Sequence, residues 1–293
     1  MNNRFTNRNR ILAAALAVAL FTLACGCNLS LPVTKIKTGT LQGVDIQIPL
    51  PEDPSTGVEL NLEFVGGNMK LAPGAGRYLA SGTATFNVAD FEPKVEANGS
   101  SYTLRSGNLD TKGFPISQDD IKNEWDLQLT DTPMSLNINA GAYNGSFELG
   151  GLSLEKLAIS DGGANVTAAF SAPNKVEMSS FTYSSGASSA ELKGLANANF
   201  AQMTFNSGAG DYTLSFDGNL QRAASVAIES GLGSVNIIVP EGVNAQVTLD
   251  GLSTVNTDGA WLQNDKVYTL SGNGPALAIT VKMGAGTITL KTE

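Results

Sequence analysis

The chain has no histidine among its 293 residues and only two cysteines, Cys25 and Cys27. Ser-His-Asp and Cys-His triads, histidine zinc sites and histidine general bases are therefore excluded, and acid–base chemistry is left to carboxylates, lysines and tyrosines. The densest carboxylate cluster is Asp119, Asp120, Glu124 and Asp126. A polysaccharide-cleaving β-helix enzyme would use such groups as acid and base. The spacing by itself carries no catalytic geometry, and a solvated helical turn between two strands is the favoured reading. No catalytic, cofactor or metal residue is expected. Asp161-Gly162-Gly163 and Gly208-Ala209-Gly210-Asp211 have the composition of calcium turns, but a calcium roll needs carboxylates in phase on successive turns. Asn144, Ser188 and Ser234 stand at the matching places, so specific calcium binding is not expected.

The remaining motifs have structural explanations. Asn98-Gly99-Ser100, Asn144-Gly145-Ser146 and Asn165-Val166-Thr167 fit a glycosylation pattern and are read as turn residues. Trp125 and Trp261 are expected in the core or a cap rather than as sugar platforms. Gly74-Ala75-Gly76 lacks the strand-to-helix setting of a phosphate loop.

The cysteines close an N-terminal targeting segment. Arg4, Arg8 and Arg10 precede a 14-residue apolar run over residues 11–24, too short to span a bilayer at about 20 residues and suited to a signal peptide. Ala24-Cys25-Gly26-Cys27 resembles the lipobox of bacterial lipoproteins, in which a small residue precedes the cysteine that is acylated and becomes the new N-terminus. Either Cys25 or Cys27 fits. Cleavage takes the chain from 18 basic residues to 15 against 27 acidic ones, a net of −12. Nucleic acid is not expected as a partner on that balance. The acidic surface also repels anionic lipid, so the membrane is expected to hold the chain through its N-terminal acyl chains.

Beyond the cysteines the chain reads as β structure. Residues 28–40 suit a tether, and from Val44 hydrophobic residues alternate with polar ones, the period of strands with one buried face. Val58 to Phe64 and then Met69 and Leu71 predict two strands joined at Gly66-Gly67; only residues 117–124, with Ser117 as a cap, predict a helical turn. From Trp125 an internal repeat sets in. Gly141, Gly163, Gly186, Gly208 and Gly231 lie 22, 23, 22 and 23 residues apart, and Gly284 repeats the pattern near the C-terminus. Each is preceded by one alternating strand and most are followed by another. A unit of about 22 residues cannot bury its own core, so units must stack as a β-solenoid, with glycine where the chain turns at positive φ or lies against the next coil. The expected architecture is thus all-β: a signal peptide over 1–27, a tether over 28–40, a β-rich N-terminal region over 41–124, and a solenoid over 125–293 closed by a coil at residues 277–293.

Trp125-Asp126-Leu127-Gln128-Leu129, the Gly-Ala turns, Leu79-Ala80-Ser81-Gly82-Thr83 and the stretch from Gly231 to Val243 resemble the toast-rack proteins, related to LiaF-like envelope domains and adhesin head domains. The resemblance implies stacked β layers and an envelope location, and it brings no catalytic residues. The expected function is a lipid-anchored, extracytoplasmic, non-enzymatic scaffold for binding, adhesion or envelope sensing, with no cofactor and with a cell-surface protein or glycan as partner. The alternatives are a carboxylate-based carbohydrate enzyme and a LiaF-like partner of a membrane stress sensor.

Overall fold

A computed structural model describes residues 33–34, 36–53, 57–107, 114–115 and 121–293. Cys25, Cys27, Asp119 and Asp120 lie outside the described residues. In chain order the strands are β1 (Val33–Thr34), β2 (Gln42–Pro49), β3 (Val58–Pro73), β4 (Tyr78–Phe86), β5 (Pro93–Asn98), β6 (Ser101–Ser106), β7 (Phe114–Pro115), β8 (Asn123–Leu129) and β9 (Met134–Glu148). Next come β10 (Leu154–Ala169), β11 (Met178–Lys193), β12 (Phe200–Ser215), β13 (Ala224–Val239), β14 (Asn244–Gly251), β15 (Thr254–Asp258), β16 (Leu262–Asn264), β17 (Val267–Leu270) and β18 (Ala276–Thr292). β1 and β7 form a two-residue parallel ladder in a small unit of their own. The other sixteen strands form one hydrogen-bonded network.

The body of that network is a β-solenoid. β3, β9, β10, β11, β12, β13 and β18 follow one another in parallel, each a strand of 15 to 17 residues. Such a strand is too long to stay flat, and its burial pattern records a corner. In β12, Met203 and Phe205 are buried on odd positions and Tyr212 and Leu214 on even ones. A straight strand keeps one parity on each face, so the change of parity marks where the chain turns and the inner face follows it. The two arms of one strand then enclose the core: the rings of Phe205 and Tyr212 meet edge-on at 5.0 Å, and Tyr183 of the preceding coil stacks on Phe205 at 5.1 Å.

Glycine makes the corner possible by close approach. A Cβ at Gly186 would come within 2.5 Å of the Gly162 carbonyl oxygen, and one at Gly284 within 2.6 Å of the Gly231 oxygen. Gly208 stands in the same relation to Gly186, Gly231 to Gly208, and Gly141 to Val65. None of these glycines has positive φ. Positive φ occurs two residues later in the corner, at Gly210, Gly233 and Gly286. The register also revises one repeat position. Asp161 pairs with Ser185 and Gly163 with Ala187, so the equivalent of Gly186 is Gly162, and Gly163 shares the next row with Ala142, Ala187, Ala209, Leu232 and Ala285.

The return from each second arm to the next coil is short and tucked against the core. Phe170, Leu195 and Phe216 in these connections are buried, so their backbones need internal partners. Backbone bonds between coils supply some, from the Phe170 N–H to the Lys193 carbonyl at 3.0 Å and from the Phe216 N–H to the Ile238 carbonyl at 2.9 Å. Buried Asn174 adds others nearby: its Nδ2 donates to the carbonyls of Leu154 and Val176 at 2.8 Å and its Oδ1 accepts from the Leu154 N–H at 2.8 Å. Asn197 does the same one coil later, donating to the Phe170 carbonyl at 2.9 Å and accepting from the Asn219 N–H at 3.0 Å.

Three sequence expectations are corrected. Residues 58–73 are one continuous strand, β3, paired with β9 from Val58 to Leu71 on both sides of Gly66 and Gly67; stacking therefore begins well before residue 125. Of the helical turn expected over 117–124, residues 117–120 lie outside the described residues, and its last two residues, Asn123 and Glu124, belong to β8. The C-terminal strand does not cap the stack. β18 lies between β13 on one side and β14 with β15 on the other, and the outer layer is made by the segment that precedes it in sequence.

At both ends the two arms part. The first arm of β3 is continued by β6 and β5, its second arm by β8, β4 and β2. The first arm of β18 is continued by β14, β17 and β16, its second by β15.

The corner and the buried C-terminal strand can each be tested. Gly208→Ala pushes a methyl group against the Gly186 carbonyl and should cost about 1–3 kcal/mol, whereas Gly163→Ala, in a row that already carries side chains, should be neutral or stabilising by up to about 1 kcal/mol. Thermal melting of the two variants checks this, and equal losses would remove the assignment of the ladder to Gly162. Truncation after residue 275 should leave β13 and β14 with facing unpaired edges and cause aggregation. A peptide of residues 276–292 added in trans should restore a monodisperse chain in gel filtration.

Candidate functional site

The corner has an outer side, and there the repeat builds a trough of about 840 Å³. Its floor is the row that follows the corner glycines: Ala142, Gly163, Ala187 and Ala209. Its bank is the row two positions further on: Asn68, Asn144, Asn165, Ser189 and Asp211, which successive strands bring into register. Neighbouring strands lie about 4.8 Å apart, so these five side chains extend over about 19 Å. They are linked along the axis. Asn165 Nδ2 donates to Asn144 Oδ1 at 3.3 Å, Asn144 Nδ2 to Asn68 Oδ1 at 3.1 Å, Asn68 Nδ2 to Glu124 Oε1 at 3.4 Å, and Ser234 Oγ to Asp211 Oδ1 at 2.6 Å.

Residues 121–124, leading into β8, wall the trough at one end. At the other end the floor row changes from Ala209 to Leu232, whose side chain is 58% exposed. Two nearly inaccessible residues line the trough and each keeps a polar atom without a partner. Asn123 Nδ2 donates to the Gly66 carbonyl at 2.7 Å while its Oδ1 accepts nothing, and the Tyr143 hydroxyl is unpaired.

On the inner side of the same corner lies the buried carboxylate of Asp161, 7% exposed. It accepts hydrogen bonds from Tyr183 Oη at 2.8 Å and from Ser185 Oγ. Desolvation holds its carboxyl above the ordinary range, against the lowering effect of those two hydrogen bonds. Burial, and then the nearby Asp161 charge, push the phenols of Tyr143 and Tyr183 up.

The sequence candidates separate accordingly. Glu124 joins the end of the bank, while Asp126 pairs with Lys70 at 3.4 Å on the exposed face of β8. Trp125, 1% exposed, packs on Phe64 with ring centroids 4.9 Å apart, and Trp261 lies partly buried against the core. Asp161 and Asp211 occupy different register rows, one inward and one outward, and no cluster of three or more metal-ligating side chains exists among the described residues. The bank has no counterpart among the sequence expectations. Asn68 and Asn144 are 76 residues apart, and only the pairing of β3 with β9 makes them neighbours. The Asn-Gly-Ser and Asn-Val-Thr patterns at 144 and 165 are the one local signal of it.

Residues 37–182 match the model of a family described as "N-terminal domain of toast_rack, DUF2154". Over these residues the chain belongs to the toast-rack family. The match ends within β11, so the toast-rack segment carries Asn68, Asn144 and Asn165, and the trough runs on past it to Ser189 and Asp211. No curated protein matches the chain. Among solved structures it is similar to a candidate cell adhesion protein from Clostridium sporogenes, at 15% identity and a TM-score of 0.49, covering 87% of this chain and 100% of that one. It is also similar to a candidate adhesin from Bacteroides fragilis, at 10% identity and 0.43 over 88% and 99% of the two chains, and to a candidate lipid binding protein from Parabacteroides distasonis, at 11% and 0.36 over 88% and 99%.

Asp161 gives this toast-rack corner a defined pH response. A carboxyl whose folded pKa is raised binds its proton more tightly in the native state, so its contribution to stability is complete below the unfolded value of about 3.9 and is lost as pH rises through the folded value. Asp161→Asn should flatten that part of the profile. Urea midpoints of both proteins measured across this range check it, and parallel profiles would refute it.

Proposed function

We propose that the chain is a lipid-anchored, extracytoplasmic scaffold that binds an external partner along its outer corner and catalyses no reaction. The trough is the observation that carries this reading: a polar bank on a small-residue floor, held in register by strands that are hydrogen-bonded on both sides. Such a surface is pre-organised, and a ligand ordering itself on it does not also have to order the protein.

The enzymatic rival needs two carboxylates about 5–10 Å apart. Among the described residues, the carboxylates lining the trough are Glu124 on β8 and Asp211 on β12, separated by β3, β9, β10 and β11. Five strand steps put them about 24 Å apart. A carbohydrate can lie between them without being cleaved.

The anchor rests on the cysteines. No helix among the described residues is long and apolar enough to cross a membrane. In this reading attachment comes from acyl chains on Cys25 or Cys27, since two chains hold a protein stably where one does not. A Cys25→Ser, Cys27→Ser double variant should move from the detergent-extracted membrane fraction to the soluble one. Membrane retention of the double variant would end the lipoprotein reading.

A further inference from the structure

The trough restricts its occupant in three ways. Its length and step are set by the stack: the bank presents one hydrogen-bonding side chain per coil, about 4.8 Å apart over about 19 Å. That step is close to the advance per sugar of an extended β-1,4-linked chain. The floor strands offer no backbone, because β9, β10, β11 and β12 are each paired on both sides. A peptide adding itself as a strand requires an open edge, which the trough lacks, so recognition must come from side chains.

Charge restricts it further. Among the described residues, the charged ones lining the trough are Lys122, Glu124 and Asp211, in a chain of net charge −9, which disfavours an anionic polymer. A polycation would meet two carboxylates that already accept hydrogen bonds from Asn68 and Ser234.

We infer that the trough holds a neutral, extended polysaccharide, laid along the stack with about one sugar per coil. This rests on the binding role proposed above and adds to it the chemical class and direction of the ligand. Amide and hydroxyl side chains of the bank exchange hydrogen bonds with sugar hydroxyls, and the Ala and Gly floor lets the chain approach. Leu232 marks the end of the run. Among the described residues no exposed aromatic ring lines the trough, so affinity per sugar is low and grows with chain length.

The test uses the full chain in detergent, with cellotetraose and the tetrasaccharide of N-acetylglucosamine as neutral probes, a galacturonate tetrasaccharide as the anionic one and a lysine-rich peptide as the cationic one. Calorimetry should show saturable binding of a neutral tetrasaccharide, about tenfold or more tighter than its disaccharide. Ala187→Leu places in the floor the residue that β13 already carries at this register, so it should fold with an unchanged thermal midpoint and still weaken binding about tenfold or more. Tighter binding of the anionic or cationic probe, absence of neutral binding, or indifference to Ala187→Leu would overturn the inference. Labelled chain applied to intact bacterial cells separates the two levels. Cell binding that Ala187→Leu abolishes, without binding of any neutral sugar, leaves the scaffold role standing and removes the polysaccharide; binding to neither cells nor sugars removes both.

Discussion

Everything in this molecule depends on how closely parallel strands approach at the corner of the coil. Strands in a sheet lie about 4.8 Å apart, and on a flat sheet side chains clear their neighbours by pointing above and below it. At a corner repeated in register, the outward direction of one coil runs into the carbonyl of the coil before it. Gly141, Gly186, Gly208, Gly231 and Gly284 answer that constraint by leaving out the Cβ, and Gly162 presents the carbonyl that Gly186 approaches. Once the corner is possible, a strand of about sixteen residues can present two faces to one interior.

Both functional features of the corner are consequences of that turn. Inside, the last inward position of the first arm is occupied by Asp161, Ser185, Ser207 and Ser230, which share one register row; Asp161 and Ser230 are buried there and Ser185 and Ser207 half-buried. Asp161 is accommodated there because Tyr183 and Ser185 donate to it, and its raised carboxyl pKa reflects the desolvation that remains. Outside, the residue after each glycine is small in the middle coils, and the residue two further on is polar. A floor and a bank arise at each of these middle coils, and stacking turns them into a trough.

The ends of the stack follow from topology. A solenoid exposes two sheet edges per end, which invite pairing with other chains. Here each arm is extended separately, by hairpin-like additions at β5–β6 and β16–β17, by β8, β4 and β2, and by β15. Placing the C-terminal β18 inside the stack commits the final residues of the chain to its core: Ile279, Val281, Ile288 and Leu290 are buried between two layers.

The sequence by itself determined the class of structure. Period-two alternation and glycines spaced 22 to 23 residues apart demand stacked, bent strands, because a unit of that size buries nothing alone. It also determined what chemistry is absent, since a chain without histidine cannot build histidine sites. It did not determine which of two adjacent glycines occupies the corner, because Gly162-Gly163 satisfies the spacing either way and only the strand register, with the Gly162 carbonyl set against Gly186, distinguishes them. Nor did it reveal that β3 opens the stack or that β18 enters it from the side, since strands paired across the long excursions from β3 to β9 and from β13 to β18 carry no local signal of their partner. The trough belongs to the tertiary structure for the same reason. Asn68, Asn144, Asn165, Ser189 and Asp211 are ordinary strand residues one at a time, and they become a binding surface only when hydrogen bonding between coils sets them side by side.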